Sequence, residues 1–409
     1  MQPVRGTHDL LPEEFLVHSY IKKVAFEVME NFGFSGVDTP IFEFLEVFAR
    51  PLGDASDIVS KEMYTIHDKG GEVLALRPEG TAGVVRMLIS NGLQQEMPAK
   101  FCYAIPCFRY ERPQKGRQRQ FHQIGTELFG VSSFYADAEV IAVGLEILKS
   151  LKVDNQVRLH LNTIGDLESR KVYREKLVEY LRGYENDLSP ESKIRLEKNP
   201  MRILDSKDQG DRKILESAPL LHDSLNPESR AFFDGLRNVL ETQNIAYTID
   251  QKLVRGLDYY SHTVFEFISD NLGAQGTVLA GGRYDGLVKL MGGQDIPGVG
   301  FGSGIERIAM LLTEKPSPKR PTTIIPVSAE DEEAAWSLVF NLRKQGLPID
   351  MGYSGNLSKR MKKASKNNAR YCIVLSKGDL ANNQLSLKDM DSGDQFMVSV
   401  EELPLRLKA

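Results

Sequence analysis

The sequence predicts an α+β protein of two domains, in which a larger strand-rich block precedes a smaller α/β block. Three observations support this prediction. Apolar residues recur at helical spacing near the start of the chain, and two strand-like segments are joined by a polar turn in its first third. After residue 321, strand-like and helical segments alternate, as they do in a domain built around an α/β sheet.

The first elements of the larger block follow from periodicity. A helix is predicted over residues 13–31, and Gly33 follows it as a stop signal. The segment 34–48 predicts extended structure, and residues 73–76 predict a short strand. That strand leads into a second helix, which is expected to begin near Thr81.

The next segment reads as a strand over 102–112, a polar turn and a returning strand. Because strand side chains alternate between faces, Arg109 and Glu111 should share one face of the first strand. One face of the returning strand should carry Phe121, Gln123, Gly125 and Glu127. Charges on a half-buried sheet face must either meet water or hold a polar ligand, and this segment by itself leaves both interpretations open.

A glycine-rich strand follows further along the chain. Glycine takes every other position over 298–304, which would leave one face bare and let a flat group such as adenine lie against the backbone. Ser303 and Glu306 have capping-box spacing ahead of a helix over 305–312. Arg307 lies in the first turn of that helix, where the helix dipole disfavours a cation unless an anion binds beside it. The alternative is a glycine-rich turn followed by a helix with an incidental arginine.

Composition shifts divide the chain. Residues 167–244 are charged and helical in period, and they predict a helical insertion at about 168–245. The stretch 313–321 holds three prolines and reads as a linker. We therefore expect one domain over 1–320, which includes the insertion, and a second, α/β domain over 321–409.

The overall composition excludes a strongly basic protein. Lysine and arginine total 51 against 56 acidic residues, a net charge of −5, so any contact with nucleic acid must be local, as at the cation-rich stretches 109–119 and 359–370. Three cysteines without metal-type spacing fit a reducing cytosol. Without a signal peptide or a long apolar run, a soluble, cytoplasmic protein with no membrane contact is expected.

The charged segments resemble known motifs. The run from Phe108 to Glu111 and the run from Gly304 to Arg307 resemble motifs two and three of class II aminoacyl-tRNA synthetases. Three further blocks resemble the histidyl-tRNA synthetase family, namely Arg5-Gly-Thr-His-Asp-Leu-Leu-Pro12, Leu253-Val-Arg-Gly-Leu-Asp-Tyr-Tyr260 and Ala280-Gly-Gly-Arg-Tyr-Asp-Gly286. The resemblance implies an antiparallel catalytic sheet flanked by helices, with an α/β anticodon-binding domain at the C-terminus.

The resemblance also implies a reaction and its substrates. The family uses ATP to convert L-histidine to histidyl-adenylate and transfers the histidyl group to tRNA(His), with release of AMP and diphosphate. Because the attacking carboxylate is already ionised at pH 7, the step needs positioned cations rather than a general base, and Mg²⁺ suits that task. A homodimer is expected from the resemblance. Because His8, His67 and His122 lack ligand-type spacing, no protein-bound metal site is expected.

Roles can be transferred to matching positions. The resemblance implies that Arg255 and Arg109 are catalytic and face each other across the α-phosphate. It implies that ATP is bound by Arg109, Glu111, Arg117, Phe121 and Arg307. It implies that histidine is bound by Glu79, Thr81, Arg109, Gln123, Glu127, Arg255, Tyr259 and Tyr260. Gln114 and Arg119, in the loop, are expected to contact the acceptor end of the tRNA.

Two other functions are considered. A catalytically idle paralogue of these synthetases serves as a histidine sensor in histidine-synthesis pathways, but such relatives typically lose the Arg255 block and the C-terminal domain, both of which this chain retains. A sensor of uncharged tRNA fused to a kinase would need a kinase segment, and the sequence contains none. An ATP-dependent synthetase is therefore predicted.

Overall fold

The computed structural model describes residues 1–53, 58–254 and 259–408. Its internal contacts divide the chain into two compact units, Met1–Pro316 and Ser317–Ala409. In the described ranges, no helix combines the length and the apolar character that crossing a bilayer requires.

The first unit contains most of the secondary structure. Its helices are α1 (Pro12–Asn31), α2 (Leu45–Leu52), α3 (Thr81–Ser90), α4 (Phe134–Ser150), α5 (Leu167–Arg182), α6 (Pro190–Lys198), α7 (Gln209–Leu215), α8 (Pro227–Thr242), α9 (Leu287–Leu290) and α10 (Ile305–Leu311). Its strands are β1 (Ser35–Gly36), β2 (Phe42–Phe44), β3 (Thr65–His67), β4 (Val73–Leu76), β5 (Ala99–Phe108), β6 (Gln120–Phe129), β7 (Arg158–Thr163), β8 (Thr248–Ile249), β9 (Ser261–Ile268), β10 (Thr277–Arg283) and β11 (Gly298–Gly304).

In the described part of this unit, eight strands form a sheet in the order β1-β5-β6-β11-β10-β9-β7-β8. All neighbours pair antiparallel except the short edge strands β1 and β8, which pair parallel. A second, antiparallel sheet has the order β2-β4-β3. The predicted α+β class and the returning strand over 120–129 are thus confirmed.

The two faces of the large sheet have different partners because side chains alternate along its strands. Ile124 and Leu128 of β6, with Val299 and Phe301 of β11, belong to the same buried cluster as the apolar side chains of α1 and α4. The opposite face of β6 carries Phe121, Gln123, Gly125 and Glu127, as the alternation predicts. One face of the sheet therefore packs against α1 and α4, and the other carries the polar side chains of β6 beside a second buried apolar cluster.

Two boundaries differ from the prediction. Within 34–48, only Ser35–Gly36 and Phe42–Phe44 are strands, because α2 begins at Leu45 and buries Val47, Phe48 and Leu52 at helical spacing. Strand β5 ends at Phe108 rather than at residue 112.

The helical insertion packs against the rest of the first unit. Phe233, Leu236 and Leu240 of α8 are buried in the cluster that contains α4, so this helix packs as part of the main core. Helices α5, α6 and α7 bury their apolar side chains in the cluster on the other side of the sheet. The insertion therefore reaches the polar face of the sheet.

The second unit is an α/β sheet domain. Its elements are β12 (Thr322–Pro326), α11 (Glu332–Lys344), β13 (Ile349–Met351), α12 (Leu357–Lys366), β14 (Tyr371–Leu375), α13 (Lys377–Ala381), β15 (Leu385–Asp389), β16 (Gln395–Val398) and α14 (Leu403–Lys408). Its strand order is β13-β12-β14-β15-β16 among the described residues, parallel across the first three strands and antiparallel across the rest.

Candidate active site

The segment between β4 and α3 forms one wall of the site. The Arg77 side chain is 2% exposed, and its Nε donates to the carbonyl of Pro106 at 2.8 Å, which fastens the segment to β5. The Glu79 carboxylate accepts from the backbone N–H groups of Thr81 at 2.7 Å and Ala82 at 2.8 Å. An acceptor there satisfies N–H groups that the first turn of a helix leaves unpaired. Burial raises the pKa of Glu79 above its ordinary value, against the effect of these bonds.

Glu127 lies at the floor of the site and is completely buried. Its Oε1 accepts from Thr81 Oγ1 at 2.7 Å and from the Tyr103 hydroxyl at 3.0 Å, and its Oε2 accepts from the Tyr284 hydroxyl. Burial raises the pKa of this carboxyl group to about 8, although the three hydroxyl donors oppose the shift. The site therefore holds a buried carboxyl group whose position is fixed from three sides.

The glycines of β11 have a further use that the sequence did not predict. A Cβ at Gly300 would collide with the Glu127 carboxylate, and a Cβ at Gly302 would collide with the Gln123 amide. The bare strand thus accommodates two polar side chains of β6 as well as facing the cavity at Gly302. The space that the alternate glycines leave is thus shared between protein side chains and the cavity.

The predicted capping box at α10 is wrong. Ser303 Oγ donates to the Val278 carbonyl at 2.8 Å, because Ser303 is still a strand residue that faces β10. Gly304 occupies the N-cap position, without a side-chain cap. Glu306 instead accepts from the backbone N–H of His122 at 2.8 Å and contacts its Nδ1 at 2.9 Å, which ties α10 to β6.

Arginines gather at the other end of the polar face. Beyond the end of β5, Arg109 donates from Nε to the Pro78 carbonyl at 2.9 Å, and its guanidinium lies 5.3 Å from the centre of the Phe121 ring. Arg117 pairs with Glu111 at 2.9 Å. The predicted shared strand face of Arg109 and Glu111 is wrong, because Glu111 lies in the loop after the strand. A turn still brings them together, with their charged groups 3.9 Å apart.

Arg307 faces these groups from α10. Its Nε is 3.4 Å from the Gly116 carbonyl, and one of its terminal nitrogens donates to the Thr277 carbonyl. Burial lowers the pKa of this guanidinium, and the nearby Arg117 and Arg109 lower it further. Positive groups held this close together favour an anion between them.

One cavity of about 660 Å³ joins these parts. Its lining includes the predicted ATP residues Arg109, Glu111, Arg117, Phe121 and Arg307, together with Gln123. Gln123 also accepts from the backbone N–H of Gly80 at 3.0 Å, so the cavity borders the buried cluster of Glu79, Thr81 and Glu127, whose side chains are not part of its lining. Tyr259 is 8% exposed, and its ring centre lies 5.7 Å from that of Tyr284, a partner of Glu127 in that cluster. Tyr260 packs against Tyr259, with ring centres 4.8 Å apart.

Three predicted residues lie elsewhere or cannot be located. Arg255 lies outside the described residues. The Arg119 guanidinium stacks over the Tyr110 ring at 3.8 Å, and its backbone N–H bonds to the Gly6 carbonyl at 2.7 Å. Gln114 is exposed at the loop tip, where its backbone pairs with Arg117. Neither Gln114 nor Arg119 lines the cavity.

The sequence reasoning missed Tyr103 and Tyr284 as partners of Glu127. Tyr284 lies inside the block Ala280–Gly286, which resembles the synthetase family, so the sequence did mark this tyrosine. No role was predicted for it. Tyr103 gave no such signal, because its hydroxyl reaches Glu127 across paired strands. Its ring also occupies the space that a Cβ at Gly80 or Gly125 would need.

A histidine cluster lies close to the site on the other face of the sheet. His18, His122 and Glu306 offer ligand-type atoms within 4.8 Å of one another. Burial lowers the pKa of His18, and Lys22 lowers it further. Glu306 already bonds to His122 twice, and a neighbouring ammonium disfavours a second cation. Glu306 and His122 link α10 to β6, and the His18 ring of α1 lies against the His122 ring with centres 5.1 Å apart.

Both parts of the chain match known protein families. The family described as histidyl-tRNA synthetase matches residues 6–308, and the anticodon binding domain matches residues 322–409. A histidine-tRNA ligase from Rhodospirillum rubrum is 53% identical over 404 residues, 98% of this chain and 97% of the relative. One from Gluconobacter oxydans is 50% identical over 409 residues, 100% of this chain and 99% of the relative. The apo crystal structure of the S. aureus histidyl-tRNA synthetase superimposes with a TM-score of 0.84 at 34% identity and covers 100% of both chains.

Proposed function

The chain belongs to the histidyl-tRNA synthetase family, and we propose that its described cavity is where ATP and L-histidine react. It is a class II enzyme that activates histidine to the adenylate and transfers the histidyl group to tRNA(His), with release of AMP and diphosphate. The position of Gln123 supports this assignment of the cavity. Its side chain lines the arginine-rich cavity and bonds to the wall of the buried carboxyl pocket.

The buried pocket provides the chemistry for histidine. The substrate ammonium would lie near the Glu79 carboxylate, the Thr81 hydroxyl and the Gln123 amide oxygen. Glu127 would accept an N–H from the imidazole, and Tyr259 and Tyr260 would enclose the ring. An apolar amino acid could not donate to the buried Glu127, and sites built to bond a polar group of the substrate reject analogues that lack it by roughly 10⁴–10⁵. No separate editing site is needed.

The cavity provides the chemistry for ATP. Phe121 would stack on the adenine, and Arg109, which already lies beside that ring, would reach the α-phosphate. Glu111 would contact the adenine, and Arg307 and Arg117 would hold the terminal phosphates. Arg255 completes this set by resemblance, opposite Arg109. Because the histidine carboxylate is ionised at neutral pH, these side chains position anions and neutralise charge rather than move a proton.

Mg²⁺ would enter with ATP as part of the substrate complex. Two carboxylates, Glu111 and Glu266, lie close enough to Arg307 to raise its pKa, against burial and the neighbouring arginines. They are oxygen donors of the kind that Mg²⁺ takes in nucleotide sites, so they fit that ion. The ion would neutralise charge that develops on the phosphates.

The second unit would bind the anticodon stem. Lys359, Lys362, Lys363 and Lys366 are exposed on α12, where they can reach phosphates. Arg360 differs, because it donates to the carbonyls of Gly355 at 2.8 Å and Pro326 at 3.1 Å. We also propose a cytoplasmic homodimer, with α1 and the segment 34–48 at its interface. In that segment Ile41, Phe42 and Phe44 are exposed apolar side chains that a partner would cover.

The test is amino-acid-dependent exchange of diphosphate into ATP, run with each of the twenty amino acids. The proposal requires exchange with histidine and background with the other nineteen. Exchange with several amino acids would contradict the assigned pocket. A silent enzyme that still binds histidine would favour the regulatory paralogue, although this chain retains a match to the anticodon-binding domain over residues 322–409.

A further inference from the structure

The helical insertion forms part of the wall of the ATP cavity. Beside Arg109, Phe121 and Arg307, the lining contains four insertion side chains. These are Glu191, Arg195, Arg202 and Lys207, from α6 and from the 3₁₀ segment Pro200–Asp205 and the turn that follows it. The insertion therefore meets the site where ATP is proposed to bind.

This part of the insertion is held by one buried carboxylate. Asp211 is completely buried and accepts from the hydroxyls of Ser189 at 2.8 Å, Ser192 at 2.6 Å and Ser206 at 2.6 Å. The bonds join the start of α6 and the residue before Lys207 to α7. Because the hydrogen bonds of this buried network are satisfied, they hold the backbone that carries the neighbouring cations in one arrangement.

Cations outnumber carboxylates in the described lining of the cavity. Among the described residues, six cations line it against the three carboxylates Glu111, Glu191 and Glu306. Two of these carboxylates are already paired, Glu111 with Arg117 at 2.9 Å and Glu191 with Arg195 at 2.9 Å. Glu306 is bonded to His122. A lining of this composition suits an anionic ligand, and the phosphates of ATP are such a group.

We propose that Arg202 and Lys207 bind the terminal phosphates of ATP during histidine activation, so that the insertion is part of the activation site. The proposal rests on the proposed function of the cavity. Their place in the lining, with Phe121, Thr277 and Arg307, favours ATP over the tRNA acceptor end.

The test measures diphosphate exchange without tRNA in the full-length enzyme carrying Arg202→Ala or Lys207→Ala. Removing a charge that binds ATP should raise the KM for ATP by about tenfold in each variant, with a smaller effect on the KM for histidine. Lys207→Arg should recover most of the loss, because it keeps the charge. Lys198→Ala is the matched control, since Lys198 is exposed on the same insertion and does not line the cavity.

Transfer of histidine from preformed adenylate to tRNA, measured in a single turnover, separates the two phosphate sources. Unchanged exchange with slowed transfer would overturn the proposal and assign the cations to tRNA. Unchanged exchange and transfer would overturn it as well. Failure of the proposed function looks different, because the wild-type enzyme would then show no histidine-dependent exchange. Unfolding temperatures within a few degrees of the wild type show that the variants are folded.

Discussion

The Thr81 hydroxyl donates to the Glu127 carboxylate at 2.7 Å, across 46 residues of sequence. This bond joins the N-terminus of α3 to the central strand β6, at the bottom of the pocket proposed for histidine. It links Thr81, the first residue of α3, to the Glu127 carboxylate, which would accept a hydrogen bond from the imidazole. Several predictions depend on that link and on the arginines beside it.

Replacing Glu127 by glutamine should weaken histidine activation. An amide cannot accept from Thr81, Tyr103 and Tyr284 and also from the imidazole without leaving a buried group unpaired. We expect kcat/KM for histidine in diphosphate exchange to fall by about 10²-fold, with the KM for ATP little changed. Glu175→Gln, at an exposed position on α5, is the control. Wild-type kinetics in Glu127→Gln would remove this residue from the histidine pocket.

The same carboxyl group predicts a pH dependence of stability. Its folded pKa, about 8, lies above the ordinary value of 4.5, so the folded state binds the proton more tightly than the unfolded state. The contribution of this group to the free energy of unfolding is therefore greatest below pH 4.5, and this contribution is lost as the pH rises through 8. Each unit of pKa difference corresponds to about 1.4 kcal/mol. Denaturant unfolding from pH 5 to 9 should show a steeper decline for the wild type than for Glu127→Gln; parallel curves would contradict the raised pKa.

Alanine at Gly300 should disturb the pocket through sterics alone. Its Cβ would collide with the Glu127 carboxylate and with the Thr126 carbonyl, and the second of these is backbone that cannot rotate away. Overpacking of this kind costs about 1–3 kcal/mol, measured as a lower free energy of unfolding. Histidine activation should fall as well. Gly286→Ala serves as a control, because no atom lies within 4 Å of its added Cβ. Equal stability of the two variants would show that the strand can relax.

Alanine at Arg255 should impair activation far more than binding. A cation that neutralises charge in the transition state contributes about 10²–10³ in rate and little to the ground state. Single-turnover formation of the adenylate should slow by that factor, while histidine affinity measured by calorimetry changes little. Lys252→Ala, at a neighbouring exposed position, should behave as the wild type. Near wild-type adenylate formation by Arg255→Ala would refute its assigned role.

Local patterns in the sequence predicted most of the elements that position the site. Alternation along β6 predicted that Phe121, Gln123 and Glu127 share a face, because strand period depends on backbone geometry alone. The strand over 73–76 and the helix from Thr81 were likewise confirmed. The predictions that failed concern where one element stops and the next begins. Both α2 at Leu45 and the end of β5 at Phe108 depend on what each residue packs against.

The sequence by itself determined the family and the two-part composition, and it predicted the cations that we propose to bind phosphate, because these depend on residue identity at fixed spacing. Only the tertiary structure decided that Tyr103 and Tyr284 hold Glu127, that Gly300 and Gly302 make room for polar side chains, and that Arg202 and Lys207 face the cavity. These contacts join strands and helices that are far apart in the chain. A partner across a sheet is fixed by strand register and packing, and no local spacing records it.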